Sequence, residues 1–194
     1  MKLCGLTGGV GMGKSTAAGF FLAAGARVVD TDEIAHDLVR PGEPALAEIA
    51  AAFGKSLIAP DGELRRGELA KIVFAEAGAR QKLEGILHPR IRECWQGRAA
   101  EWRREGCTLG VVVIPLLFET QAESSFERIV CVACSAESQR VRLAARGWTP
   151  EQIGQRIAAQ MPVEQKMARS HFVLWTEGVP EVLRQQIGEM LGKI

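Results

Sequence analysis

The chain has 194 residues, 47% of them apolar, which suits one domain-sized core. With 24 Lys and Arg against 23 Asp and Glu, the formal net charge is only +1. That balance excludes a general electrostatic pull toward nucleic acid or an anionic membrane, so neither is expected as a partner. The longest apolar run, residues 111–118, contains Pro115 and is too short for a membrane span. The N-terminus reads as a first strand rather than a leader peptide, so the expected compartment is the cytoplasm.

Residues 3–7 are short and mostly apolar, readable as a buried strand. Gly8-Gly9-Val10-Gly11-Met12-Gly13-Lys14-Ser15-Thr16 follows and fits G-x-x-x-x-G-K-[ST], the phosphate-binding P-loop. Phosphate oxygens must reach several backbone N–H groups, and glycine keeps side chains out of the way and bends cheaply. Lys14 supplies a point charge for the β- and γ-phosphates, and the Ser15 hydroxyl can ligate a bridging Mg²⁺. Met12 stands where a small residue is common, but the loop uses backbone there. An Ala-rich helix over residues 16–24 ends at Gly25, and its N-terminal dipole favours an anion.

A second strand over residues 26–30 ends in Asp30-Thr31-Asp32. Asp32 reads either as the N-cap of a helix over 33–39 or as a base for an alcohol hydroxyl, with Asp30 a turn carboxylate or a group near magnesium. Residues 41–106 are mostly helical. Pro44 opens a helix that Gly54 ends, Pro60-Asp61-Gly62 is a turn, and helices follow over 69–77, 79–87 and 91–105. This is too much helix for one crossover, and it reads as an inserted subdomain for a second substrate. His88-Pro89 interrupts it, with Pro89 opening the last helix; His88 is either structural or a ligand contact.

Residues 108–114 are wholly apolar and β-branched, the pattern of a central parallel strand. Pro115-Leu116-Leu117-Phe118-Glu119 leaves its end. Glu119 is the first carboxylate there, so the Asp that many P-loop proteins place at this point is absent. Residues 128–132 form a fourth strand. Cys131 and Cys134 have C-x-x-C spacing, but no second pair exists, so they read as reduced core residues. Ser135 caps a helix over 136–146 that Gly147 stops, and Thr149-Pro150-Glu151-Gln152 combines a cap, a Pro at N1 and a capping box. Arg140, Arg142, Arg146 and Arg156 lie on these helices, as solvated faces or as the arms of a lid. Residues 171–175 and 179–191 form the last strand and helix.

Five separated stretches carry a resemblance: residues 5–16, 28–32, Leu87-His88-Pro89, 115–119, and Gln139-Arg140 through Ala145-Arg146-Gly147. In this order the chain resembles the dephospho-coenzyme A kinase family over nearly its whole length. The resemblance implies an α/β fold: a P-loop, adenylate-kinase-like core with a five-stranded parallel sheet, a helical CoA subdomain over about 36–105 and a lid over about 135–168. It implies ATP and dephospho-CoA as partners, with Mg²⁺, and transfer to the ribose 3′-hydroxyl. It implies Asp32 as base and Lys14 and Arg140 as catalytic residues. Nucleotide contacts fall on Gly9, Gly11, Met12, Gly13, Lys14, Ser15, Thr16, Arg140 and Arg146. Acceptor contacts fall on Asp32, His88, Leu116 and Glu119, and Ser15 is the Mg²⁺ ligand. A monomer or weak homo-oligomer is expected. The chain departs from the family pattern at Ser170-His171 and Thr176-Glu177-Gly178, so the adenine-side contacts do not carry over. Two other readings stay open: a kinase of another small alcohol, and a nucleotide-dependent switch.

Overall fold

The computed structural model describes residues 1–76 and 78–194. Strands β1 (Lys2–Gly8), β2 (Arg27–Asp30), β3 (Leu109–Val113), β4 (Arg128–Ala133) and β5 (Phe172–Trp175) form one sheet in the order β2-β3-β1-β4-β5. All neighbours are parallel; Cys4 stands opposite Val111 on one side and Arg128 on the other. Successive residues of β3 and β4 are buried regardless of the face they point to, which is why these strands are continuously apolar. Parallel pairing brings every strand's carboxyl end to one edge, where ligands of such sheets bind.

The helices are α1 (Lys14–Ala23), α2 (Thr31–Asp37), α3 (Pro44–Phe53), α4 (Arg66–Ala75), α5 (Ala79–Arg104), α6 (Ala136–Ala144), α7 (Pro150–Ala158), α8 (Val163–Ala168) and α9 (Pro180–Leu191). None of the described helices is long and apolar enough to cross a membrane.

The chain divides into two units, one of Met1–Asp30 with Ala99–Ile194 and the other of Thr31–Arg98. The first contains the sheet. Its core joins Leu6, Val111 and Val130 to Phe21 of α1 and to Leu183, Ile187 and Met190 of α9, which recur at helical spacing on one face. Edge strand β5 is closed by a side chain: Gln186 of α9 accepts from the Trp175 amide and donates to its carbonyl, both at 2.9 Å. The second unit has its own cluster, centred on Val39, Leu46, Ile49, Leu57 and Ile86. Within it, Pro44 opens α3 and Gly54 follows its end at φ 113°. The turn at Pro60-Asp61-Gly62 closes an antiparallel bridge between Ile58 and Leu64.

Three expectations change. The helices expected over 79–87 and 91–105 are one 26-residue helix, α5, with Pro89 inside it. Proline cannot donate to the carbonyl four residues back, but that residue is Gly85, which is exposed and can reach water. The next carbonyl, of Ile86, accepts from Arg90 Nη1 at 2.6 Å, while Arg90 Nη2 pairs with Glu48 at 2.5 Å. An arginine thus braces the turn that the proline ring disturbs. Second, α2 begins at Thr31, directly after β2, so Asp32 lies inside the first turn rather than capping it. A carboxylate there still faces the positive end of the helix dipole. Third, α8 follows α7 as a separate short helix in residues 135–168, where two helices were expected. The helix expected over 69–77 runs Arg66–Ala75, and its expected end at Ala77 lies outside the described residues.

Phe21 is fully buried between α1 and the sheet. Phe21→Ala is expected to cost roughly 3–5 kcal/mol, the usual range for removing a core aromatic, read as a lowered urea midpoint at unchanged m-value.

Candidate active site

The chain leaves β1 at Gly8, curls through residues 9–13 and enters α1 at Lys14. Gly8 has φ 144°, and a Cβ there would stand 2.3 Å from the Val132 carbonyl oxygen. Gly13, at φ 90°, precedes the first helical residue. Neither place tolerates a side chain, so the loop can lie close against β4. Lys14 Nζ arches back and donates to the carbonyls of Gly8 (2.9 Å) and Gly9 (3.0 Å). Ser15 and Thr16 are exposed on the first turn of α1. Met12 points into the core, so the loop presents backbone at that position. Val10, at the crown, is held from both sides: its amide donates to Gln160 Oε1 (2.9 Å) and its carbonyl accepts from Gln139 Nε2 (2.8 Å).

Helix α6 stands beside the loop. Its N-cap, Ser135, accepts from the Ser138 amide at 3.1 Å. Glu177 accepts from the Ser135 amide (2.9 Å) and from Trp175 Nε1 (3.0 Å). The Ser135 hydroxyl above all, then the Ser138 hydroxyl, the Ser135 amide and the indole, hold its carboxyl down at about 2. Arg142 reaches from α6 to Thr176: Nη1 donates to Oγ1 at 2.9 Å and Nη2 to the carbonyl. Thr176 Oγ1 lies 3.0 Å from the carbonyl oxygen of Met12, so one hydroxyl joins the arginine to the loop. Gly13, Thr16, Arg142 and Arg146 line a cleft of about 380 Å³ whose apolar side includes Val179 and Pro180. A phosphate cradle opening into a half-apolar cleft fits a nucleoside phosphate.

The family model described as dephospho-CoA kinase matches residues 2–180. The chain belongs to the dephospho-CoA kinase family. It is 41% identical over 194 residues to a curated dephospho-CoA kinase of Geobacter sulfurreducens, covering 100% of this chain and 98% of the relative. A crystal structure of a Thermus thermophilus protein superposes with a TM-score of 0.85 at 31% identity, covering 100% of this chain and 97% of that one. A dephospho-CoA kinase structure from Campylobacter jejuni shares the fold, with a TM-score of 0.73 at 23% identity over 100% and 97% of the two chains.

The structure brings some expected site residues together. Gly9, Gly11, Met12, Gly13, Lys14, Ser15 and Thr16 form one loop and helix start, and Arg146 shares the cleft with Gly11, Gly13 and Thr16. Arg140 is exposed and is not among the cleft-lining residues. Helical geometry gives the reason. Arg142 lies on α6 and Arg146 two residues past its end, and Arg140 points about 200° away from Arg142 at roughly 100° per residue. Arg156 stacks on Trp148, 4.3 Å from the ring centroid. Leu116 is half-buried in the turn after β3. Glu119 is engaged by a residue that no sequence pattern marked: Lys166, whose side chain is 0% exposed, lies 2.8 Å from Glu119 Oε1. Asp32 is exposed in the first turn of α2, and His88 is half-buried in α5.

Arg142, one of the candidate lid arginines, and Thr176, one of the departures from the family pattern, are bonded to each other and to the loop, a pairing the sequence did not suggest. The other departure, His171, lies at the opposite end of β5 from Thr176. Its Nδ1 accepts from the Ile129 amide at 3.0 Å, which makes it a sheet-edge residue. Cys131 and Cys134 are free and buried, and burial pushes the Cys131 thiol up to about 11. The described residues contain no cluster of three or more His, Cys, Asp or Glu able to hold a metal ion.

Glu177 makes the mounting of α6 pH-dependent. Its folded carboxyl is depressed from 4.5 to about 2. Its contribution to stability is therefore full above pH 4.5 and fades as pH falls toward 2. Thermal melts should show Glu177→Gln below wild type at pH 7, with the gap closing on acidification. A gap that stays constant to pH 2.5 would detach the effect from this carboxylate.

Proposed function

We propose that the chain transfers the γ-phosphoryl group of ATP to the ribose 3′-hydroxyl of dephospho-CoA, giving CoA and ADP, the last step of coenzyme A synthesis. The observation that carries this reading is the family match over residues 2–180, which spans both the phosphate loop and the helical unit. The physical chemistry agrees with it. A loop of amides, a lysine and two arginines on one cleft neutralise a triphosphate, and phosphoryl transfer needs little beyond positioning and charge stabilisation.

In this reading Lys14 turns from the loop carbonyls to the β- and γ-phosphates. Arg146 and Arg142 flank the nucleotide, and Val179 and Pro180 supply an apolar wall for its base. Arg140, exposed on α6, reaches the transferring group when residues 135–168 close as a lid and exclude water. Asp32 accepts the proton of the attacking hydroxyl, and its place in a helix's first turn stabilises the carboxylate that must do so. His88 and Leu116 contact the acceptor, and residues 36–105 supply most of its binding surface. The exposed Ser15 hydroxyl is a hard oxygen donor of the kind Mg²⁺ takes; the ion would arrive with ATP and spread charge over its phosphate oxygens.

An ADP-release assay with ATP, Mg²⁺ and dephospho-CoA, run beside adenosine, AMP, shikimate and pantothenate, tests the acceptor. Turnover with dephospho-CoA alone and a product of CoA mass are expected; turnover only on another acceptor would overturn the assignment. Asp32→Asn should lower kcat by roughly 10²–10⁴ at near-constant ATP affinity, the scale of losing a general base. Near-normal turnover would remove Asp32 from that role. Lys14→Ala should damage both nucleotide affinity and rate.

A further inference from the structure

Lys166 is a lysine with no exposed side-chain surface, seated on the short helix α8. Burying an ammonium is costly unless its surroundings complete its bonding. Here they do. Nζ donates to the Pro115 carbonyl at 2.6 Å and pairs with Glu119 at 2.8 Å. The Pro115 carbonyl also accepts from Thr7 Oγ1 at 3.3 Å, next to the start of the phosphate loop. Glu119 Oε1 in turn accepts from the Met161 amide at 2.8 Å. The residue before Met161 is Gln160, whose Oε1 takes the amide of Val10 at the loop's crown. A continuous chain of polar contacts therefore runs from a buried cation to the loop, entirely within the sheet-bearing unit.

We propose that Lys166 is a positioning residue for the phosphate loop: it fixes Glu119, Glu119 fixes the Gln160–Met161 peptide, and Gln160 fixes Val10. The cleft-lining residues do not include Lys166, so it acts through the backbone it holds. A loop whose amides must converge on phosphate oxygens loses affinity when its crown is free to move, because the ordering then falls to the ligand. Gln160 is the link from this chain to the loop's crown, so its loss should add nothing to that of Lys166.

The inference rests on the nucleotide-binding part of the reading above, and its test reads nucleotide binding directly. Calorimetric titration of the full chain with ATP and Mg²⁺ is compared for wild type, Lys166→Met, Gln160→Ala and the double variant, with dephospho-CoA titrated in parallel. Lys166→Met should weaken ATP binding about tenfold, the size of one lost charge-assisted hydrogen bond, and dephospho-CoA binding less than about twofold. Gln160→Ala should weaken ATP binding about fivefold, and the double variant should be no weaker than Lys166→Met alone. Full ATP affinity in folded Lys166→Met, equal loss for both ligands, or additive losses would overturn the proposal. Where Lys166→Met does not fold, Gln160→Ala decides: wild-type ATP affinity breaks the last link and overturns it. A wild type that binds ATP but not dephospho-CoA counts against the acceptor assigned above and leaves the ATP comparison intact.

Discussion

The approach of Gly8 to β4 is the contact on which the rest of this site depends. A carbonyl oxygen 2.3 Å from where a Cβ would be leaves room for a hydrogen and nothing more. Because the loop can press against the sheet there, it turns within five residues and delivers α1 with its amide end facing the cleft. Neighbouring side chains are arranged around that loop. Lys14 folds over its carbonyls, Met12 anchors its underside, and two glutamines hold Val10. The electrostatics of phosphate binding are thus prepared by a steric fact about one glycine.

Around the loop, polar side chains add to the packing of Met12 and Leu143. Glu177 ties the start of α6 to the end of β5, and Arg142 ties its last turn to Thr176. Arg142 and Arg146 line the cleft, and between them in sequence Leu143 is fully buried against the loop at Gly11. On the other flank lies the buried Lys166–Glu119 pair. It anchors the chain where residues 135–168 return to the sheet, and a desolvated pair of this kind tolerates little movement.

The helical unit follows a different logic. It has its own apolar cluster and its own braces, including Arg90 across the turn that Pro89 disturbs. An autonomous core lets such a unit vary in shape without disturbing the packing of the sheet.

Much of this was legible in the chain. Glycines at fixed spacing before Lys14 and Ser15 state the loop, because no other residue type meets the backbone demand. Apolar runs such as residues 109–113 state buried parallel strands, and Ser135 and Thr149 state helix starts through local hydrogen bonds. Family membership was legible for the same reason: these local demands recur in order. Pro89 misled because a proline's effect on a helix depends on whether its orphaned carbonyl finds a partner; that of Gly85 is exposed to water, and Arg90 braces the neighbouring Ile86 carbonyl from its side chain. That Arg142 rather than Arg140 lines the cleft was settled by the rotation of α6 about its axis, which the bonds to Thr176 and Glu177, both just past the carboxyl end of β5, fix together. Lys166 carried no signal at all. A lysine on a six-residue helix reads as surface, and only the packing of α8 against β1 and β4 closes water away from it. Local backbone chemistry is written in neighbouring residues, whereas burial and partnership of a charge depend on segments more than forty residues apart, which only the folded chain brings together.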